Sequence, residues 1–160
     1  MDLAAVIAQV ETRTRDHSLR FEPTLYARWS EGPLTAEQRR VLGRIMAVHD
    51  CVYAAACMIA CTSWGRYQLL GENIYSVCQC NADIFVFVTQ PGVQLLCFQR
   101  FLAARGIAFS IEEILMDRTK REQFIARYNG PGDIDVYWAQ MQVAIKELGG
   151  PTIVGEGSAV

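Results

Sequence analysis

The chain has 160 residues and a mass of 17.9 kDa, with 51% hydrophobic and 20% charged residues and a mean hydropathy of +0.12. This composition predicts one globular domain and excludes a disordered tail, a collagen-like repeat and a highly charged adaptor. The net charge is −2, and residues 1–80 carry eight basic and eight acidic side chains. Nucleic-acid binding needs a basic surface, so we expect no nucleic-acid partner.

The first third of the chain has helical spacing of its apolar residues. Residues 2–12 predict a short first helix, and Pro23 is suited to the first turn of a helix that continues through Trp29. Thr35 and Gln38 have the spacing of a capping box, which predicts the start of a long helix that continues to Ala60. Its second half is apolar on nearly every side, so we expect a buried central helix.

The sequence of the remaining chain also predicts helices. Residues 84–88 favour a strand by composition, but they lie between helical patterns and a cap at Asn81 or Asp83 predicts a helix. Further helices are predicted over 92–105 and 133–148, and Ser110 and Thr119 each begin a capping-box spacing. We therefore predict an all-α domain over 1–148, followed by a flexible tail over 149–160 that is frayed or bound to a partner.

The cysteines do not form a metal-binding pattern. The chain has only two histidines and no Cys-x-x-Cys pair, so we expect no metal and no cofactor. The six cysteines are predicted to be reduced, mostly as core residues, which points to synthesis in a reducing cytoplasm; they are Cys51, Cys57, Cys61, Cys78, Cys80 and Cys97.

No secretion signal is visible, and the longest apolar run does not predict a membrane span. The start at Met1-Asp2 has no basic region, and the run from Cys51 to Cys61 has eleven residues, whereas a span needs about 20. We expect no membrane insertion.

Three fragments carry groups that could take part in chemistry. The segment 62–71 is predicted to be a loop in which Trp64 and Tyr67 can stack on a flat ligand face and Gln68 can form hydrogen bonds. Residues 127–132 predict a turn between two helices. Glu11 and Glu22 form a carboxylate pair, and burial of one of them would raise its pKa toward that of a general acid.

Together these fragments resemble a known family. In chain order they are Val10-Glu11-Thr12, Phe21-Glu22-Pro23, Ser63-Trp64-Gly65-x-x-Gln68 and Tyr128-Asn129-Gly130-Pro131. They resemble the N-acetylmuramidase domain of phage endolysins and related bacterial cell-wall hydrolases, and the resemblance runs from about Leu3 to Leu148. It implies the all-α lysozyme-like fold shared with soluble lytic transglycosylases.

The resemblance also implies roles for individual residues. Glu11 falls on the catalytic acid of the family, and Glu22 falls on a residue that lines or supports the cleft. The other matched positions are implied to bind the sugar beside the acid or to face the acid across the cleft; they are Ser63, Trp64, Gly65, Gln68, Tyr128 and Asn129. The implied reaction is cleavage of the β-1,4 bond between N-acetylmuramic acid and N-acetylglucosamine in peptidoglycan.

Alternatives remain open from the sequence. A lytic transglycosylase would form anhydro-muramyl products with Glu11 as its only carboxylate. A hydrolase of the inverting type would use Glu22 as a base. A weakly active or inactive virion or tail component is a further alternative, because Thr12-Arg13-Thr14-Arg15 replace the small residues that usually follow the acid. The resemblance implies synthesis in the host cytoplasm and action on peptidoglycan in the periplasm, after delivery by a holin or within a virion.

Overall fold

The computed structural model describes residues 1–13, 15, 17–79 and 81–151. Within these ranges the chain forms ten α-helices and one three-stranded sheet, so the predicted all-α class is confirmed. The helices are α1 (Leu3–Thr12), α2 (Pro23–Glu31), α3 (Ala36–His49), α4 (Tyr53–Ala60), α5 (Gly71–Ser76), α6 (Ile84–Thr89), α7 (Pro91–Ala104), α8 (Ile111–Met116), α9 (Arg118–Tyr128) and α10 (Ile134–Glu147). The strands are β1 (Leu19–Phe21), β2 (Thr62–Trp64) and β3 (Leu69–Leu70).

Local capping determines where several helices begin. Both halves of the capping box are present at the start of α3, between Thr35 and Gln38, and at the start of α8, between Ser110 and Glu113. Asp83 caps α6 by accepting a hydrogen bond from the backbone of Phe85, which confirms a helix in the strand-like segment. Each cap satisfies a backbone N–H that has no partner inside its helix.

The prediction of one long helix from Thr35 to Ala60 is wrong. The helix ends at Asp50, which adopts the left-handed conformation with φ 46° and ψ 49°. The chain restarts as α4, bent by 109° from α3. Asp tolerates the left-handed region better than most residues because its short polar side chain can bond locally. Because hydrophobic spacing continues across this break, the apolar pattern alone does not reveal it.

The predicted start of α9 at Thr119 is also wrong. The helix begins at Arg118, and Asp117 is its cap, with its carboxylate accepting from the backbone N–H of Lys120. The spacing of Thr119 and Glu122 resembles a capping box, but Asp117 is an equally good cap two residues earlier.

The small sheet stands where the sequence predicts only a loop after α4. Strands β1 and β2 pair antiparallel, with Arg20 opposite Ser63, and β2 pairs antiparallel with β3, with Ser63 opposite Leu70. The sheet joins the segment after α1 to the segment after α4. Strands of two or three residues are too short to show a period of two, which explains why the pattern misses them.

Helices α1 and α4 make many of the contacts between helices. Helix α10 packs against α1, and α4 packs against α3, α2 and α5. Helix α4 buries Ala56, Cys57 and Ala60 completely. The predicted tail falls mainly on residues 152–160, which lie outside the described residues.

Candidate active site

A groove of about 370 Å³ opens beside the end of α1. Residues from α1, α2, the sheet, α5, α7 and α9 line it, so it is built from segments spread over most of the chain. It brings together most of the predicted site residues, namely Glu11, Glu22, Ser63, Gln68, Tyr128 and Asn129.

Glu11 lies in the last turn of α1, and its carboxyl group is largely buried. Burial raises the pKa of this carboxyl above its usual value near 4.5, because the charged form loses hydration. A hydrogen bond from Tyr137 and the positive charge of Arg20 act in the opposite direction but are smaller. Glu11 therefore keeps its proton to a higher pH than an exposed glutamate does.

Tyr137 orients the Glu11 carboxyl. Its hydroxyl donates a hydrogen bond of 2.7 Å to Oε1 of Glu11, although the two residues are 126 positions apart in the chain. The packing of α10 on α1 makes this contact, and only 5% of the Tyr137 surface is exposed. Sequence reasoning missed Tyr137. The helical spacing of Tyr137, Met141 and Ala144 marks a buried face but does not identify what that face contacts.

Glu22 is held in an ion pair. It lies between β1 and α2, and Nε of Arg20 donates a hydrogen bond of 2.7 Å to its Oε1. The backbone N–H of Glu22 donates to the carbonyl of Cys61, which ties the start of α2 to the end of α4. One oxygen of the Glu22 carboxylate is thus occupied by a guanidinium group.

The turn between β2 and β3 is held by buried contacts. Gly65 has φ +73°, and its N–H donates to the carbonyl of Ser18. A Cβ at Gly65 would collide with the side-chain oxygen of Gln94, which is fully buried and accepts from the backbone N–H of Arg66. Gln68 donates from Nε2 to the carbonyl of Gly65 and lies at the groove.

Trp64, Gly65 and Tyr67 support the groove from behind and are not among its lining residues. The indole N–H of Trp64 donates to the carbonyl of Ile59, and its ring packs against the core. Tyr67 is buried and stacks on Phe98 with ring centroids 4.3 Å apart. The prediction that Tyr67 stacks on a ligand does not fit this position, because its ring already stacks inside the protein. Trp64 is only partly buried, so its contact with a ligand stays a prediction.

Tyr128 ends α9 and Asn129 follows it, and both residues line the groove. The Tyr128 hydroxyl donates a hydrogen bond of 2.9 Å to the carbonyl of Tyr67, and burial raises its pKa well above the usual value near 10. Tyr128 is therefore a neutral residue whose hydroxyl proton is already engaged, and it connects α9 to the β2–β3 turn. Asn129 is exposed at the groove.

Glu11 lies at the junction of two hollows. A second hollow of about 510 Å³ shares Glu11, Arg20 and Gln68 with the groove and extends past Arg13 and Arg15. The two hollows therefore share the surface around the Glu11 carboxyl.

Charged residues that the sequence analysis did not assign also line the groove. They are Arg20, Arg28 and Arg105. In the part of the chain that the structure describes, no group of three or more His, Cys, Asp or Glu side chains is placed to hold a metal ion. No single described helix is long and apolar enough to cross a membrane, and only α3 and α4 taken together pass that test, with a bend of 109° between them.

Comparison with known proteins identifies the family. The family model for N-acetylmuramidase matches residues 4–148, from the helix that carries Glu11 to the end of the last helix. An endolysin of Enterobacteria phage PRD1 is 32% identical over 126 residues, which make up 78% of this chain and 83% of that protein. No solved structure gives a significant match. With a largely buried carboxyl group in its groove and a family match over nearly its whole length, the chain belongs to the N-acetylmuramidase family of peptidoglycan-degrading glycoside hydrolases.

Proposed function

We propose that the groove binds a glycan strand of peptidoglycan and that Glu11 is the general acid in cleavage of the β-1,4 bond between N-acetylmuramic acid and N-acetylglucosamine. One observation carries the proposal: the buried carboxyl of Glu11, with a raised pKa, lies where the two hollows meet. A general acid has to be protonated before the reaction, and burial favours that state.

The surrounding residues have matching roles in this proposal. Tyr137 orients the carboxyl so that its proton points to the glycosidic oxygen, since its hydroxyl occupies Oε1. The side-chain amides of Gln68 and Asn129 can donate to and accept from the N-acetyl and hydroxyl groups of the sugars. When the leaving group departs, the Glu11 carboxylate faces the positive charge that develops on the sugar ring.

The fate of the sugar after bond cleavage depends on Glu22. In an inverting hydrolase a second carboxylate lies about 6.5–9.5 Å from the acid and activates a water molecule. Arg20 already occupies one oxygen of Glu22, so that oxygen is not free to accept a proton from a water molecule. We therefore assign Glu22 the role of holding Arg20 rather than that of the base.

The same ion pair favours a second candidate function, that of a lytic transglycosylase. If Glu11, the one described carboxylate in the groove without an ion-pair partner, acts alone, the C6 hydroxyl of the muramic acid can attack C1 and pass its proton to Glu11, which forms a 1,6-anhydro product. Hydrolysis would instead add water to C1, with assistance from the substrate's own acetamido group.

The test combines two substitutions with product analysis. We expect Glu11→Gln to reduce glycan cleavage about 10²–10⁴-fold, because the proton donor is lost. Glu22→Gln is expected to retain most of the rate if Glu22 only holds Arg20. Glu31→Gln, at the exposed end of α2, is the matched control. Release of muropeptides from purified peptidoglycan gives the rates, and mass spectrometry separates the reducing from the anhydro ends.

Each result of these measurements decides one role or one reaction type. Undiminished cleavage by Glu11→Gln would remove Glu11 as the acid. A loss at Glu22→Gln as large as that at Glu11→Gln would restore Glu22 as the base. Anhydro ends would assign the transglycosylase reaction, and reducing ends the hydrolase reaction.

We further propose that the protein is made in the host cytoplasm and reaches peptidoglycan through a holin or as a virion or tail component. The support is the similarity to a phage endolysin. Expression in a bacterial host with and without a holin tests the first route: rapid lysis only with the holin supports it, and lysis at the same rate without the holin contradicts it.

A further inference from the structure

Among the described residues that line the groove, arginines outnumber carboxylates by three to two. Arg20 is paired with Glu22, and burial keeps Glu11 protonated to a higher pH than usual. Arg28 and Arg105 remain. Their excess charge contrasts with the net charge of −2 of the whole chain.

Neither of these two guanidinium groups is neutralised by a close carboxylate. Arg28, in the last turn of α2, is exposed, and its guanidinium makes no hydrogen bond or ion pair with another described residue. Arg105 follows α7, and its guanidinium lies over the ring of Phe101, 5.1 Å from the centroid. Burial raises the pKa of Glu72, and Arg105 is close enough to oppose that rise, but the two groups form no ion pair within 4 Å among the described residues.

A neutral sugar chain offers hydrogen-bond acceptors but no negatively charged partner for two guanidinium groups. Strands built only from N-acetylglucosamine carry no ionised group, whereas muramic acid carries a lactyl group that ends in a carboxylate or in a peptide with free carboxylates. Arginine binds a carboxylate through two parallel hydrogen bonds, which gives both affinity and orientation.

We propose that Arg28 and Arg105 form an anion subsite that binds the carboxylates carried on the lactyl side of muramic acid. The proposal rests on the function proposed above and names the residues that would bind the carboxylates of that substrate. Phe101, beneath Arg105, provides an apolar floor that holds the guanidinium at the groove.

The test measures binding in the Glu11→Gln background, so that it does not depend on turnover. Three soluble ligands are compared: uncrosslinked strands that bear their peptides, the same strands with the peptide carboxylates blocked as neutral amides, and strands freed of peptide that retain the lactyl carboxylate. The added substitutions are Arg28→Gln, Arg105→Gln and both together, with Arg118→Gln as the control, since that residue forms an exposed ion pair on α9.

We expect each groove substitution to weaken binding of the acidic strands about tenfold and the blocked strands hardly at all. Arg28→Lys and Arg105→Lys should retain part of the affinity, and they also serve if the glutamine variants fold poorly. A loss confined to peptide-bearing strands assigns the peptide carboxylates, and a loss shared by the peptide-free strands assigns the lactyl carboxylate.

Equal weakening for acidic and blocked strands, or no weakening for either, would overturn the subsite. These results are separate from the proposed function, which fails only if Glu11→Gln cleaves as fast as the unaltered protein. Arg118→Gln changes the net charge by the same amount, so a general charge effect would appear in that control as well.

Discussion

The burial that suits Glu11 to act as a proton donor also makes its charged form unfavourable for the stability of the folded protein. Its carboxyl is buried at the end of α1, and the charged form is disfavoured there. Folding raises the pKa of the Glu11 carboxyl above 4.5, so the protonated carboxyl favours the folded state. This contribution to stability is fully present below pH 4.5 and is lost as the pH rises through the pKa of the folded state.

Substitution of Glu11 by Gln should therefore stabilise the protein at neutral pH while it abolishes activity. Gln preserves the shape and can still accept from Tyr137, but it carries no charge to bury. Urea denaturation at pH 4 and pH 7 measures this effect. The stability gained by the variant should be larger at pH 7, and an equal gain at both values would contradict the burial of the carboxyl.

Tyr137 should control the pH dependence of the reaction. Its hydrogen bond lowers the pKa of Glu11, so Tyr137→Phe should raise that pKa and move the basic limb of the kcat/KM profile to higher pH. Tyr26→Phe serves as the control, because the Tyr26 hydroxyl makes no hydrogen bond to another described residue. An unmoved limb in the Tyr137 variant would mean that this bond does not influence the acid.

At the scale of elements, Asp83 connects two helices. Its Oδ1 caps α6, and its Oδ2 lies 3.2 Å from Nδ1 of the buried His49 at the end of α3. Asp83→Ala should lower the free energy of unfolding by about 1 kcal/mol or more, because it removes a helix cap and the partner of His49. Asp83→Asn keeps the capping oxygen and should recover part of the loss in urea denaturation. Equal stability of the two variants would contradict the role of the cap.

Gly71 marks the closest approach between α5 and α4. A Cβ at this position would collide with the carbonyl oxygen of Ile59, which belongs to the backbone and cannot rotate away. Gly71→Ala should therefore destabilise the protein by about 1–3 kcal/mol.

Gly43 is the matched control for Gly71. It lies in α3 with no atom within 4 Å of an added Cβ, so Gly43→Ala should stabilise the protein by about 0.5–1 kcal/mol through helix propensity. Chemical denaturation measures both variants, and the same sign of change for both would contradict the close packing at Gly71.

At the scale of the whole molecule, the reactivity of the cysteines measures how well the core excludes solvent. None of the five described cysteines forms a disulfide with another described residue, and Cys57, Cys61, Cys78 and Cys97 are buried. Burial raises the pKa of Cys61 to about 12, so its reactive thiolate is almost absent at neutral pH. Cys80 lies outside the described residues.

We expect a thiol-alkylating reagent to reach the buried cysteines only when the domain unfolds. Peptide mapping after alkylation of the native protein should show modification of Cys51, which is partly exposed, before Cys61. Mild denaturant should then expose the buried four together. Labelling of Cys61 as fast as that of Cys51 in the native state would contradict the packing of α4.

The sequence by itself determined the features that depend on neighbours within a few residues. Capping boxes at Thr35 and Ser110 mark true helix starts because their hydrogen bonds span only three residues. The motifs around Glu11, Ser63 and Tyr128 likewise pointed to the family before any fold was known, and the family match confirms it. Such local hydrogen bonds do not depend on how the rest of the chain is arranged, although the spacing at Thr119 shows that a nearby residue can provide a competing cap.

The tertiary structure decided everything that depends on distant residues. The reversal at Asp50 is hidden by apolar spacing on both sides, and the short sheet exists because β1 and β2 meet from distant parts of the chain. The contact between Tyr137 and Glu11 and the inward packing of Trp64 also follow from helix packing. The raised pKa of Glu11 is a property of the whole fold, because water is excluded from that carboxyl only when these elements close around it.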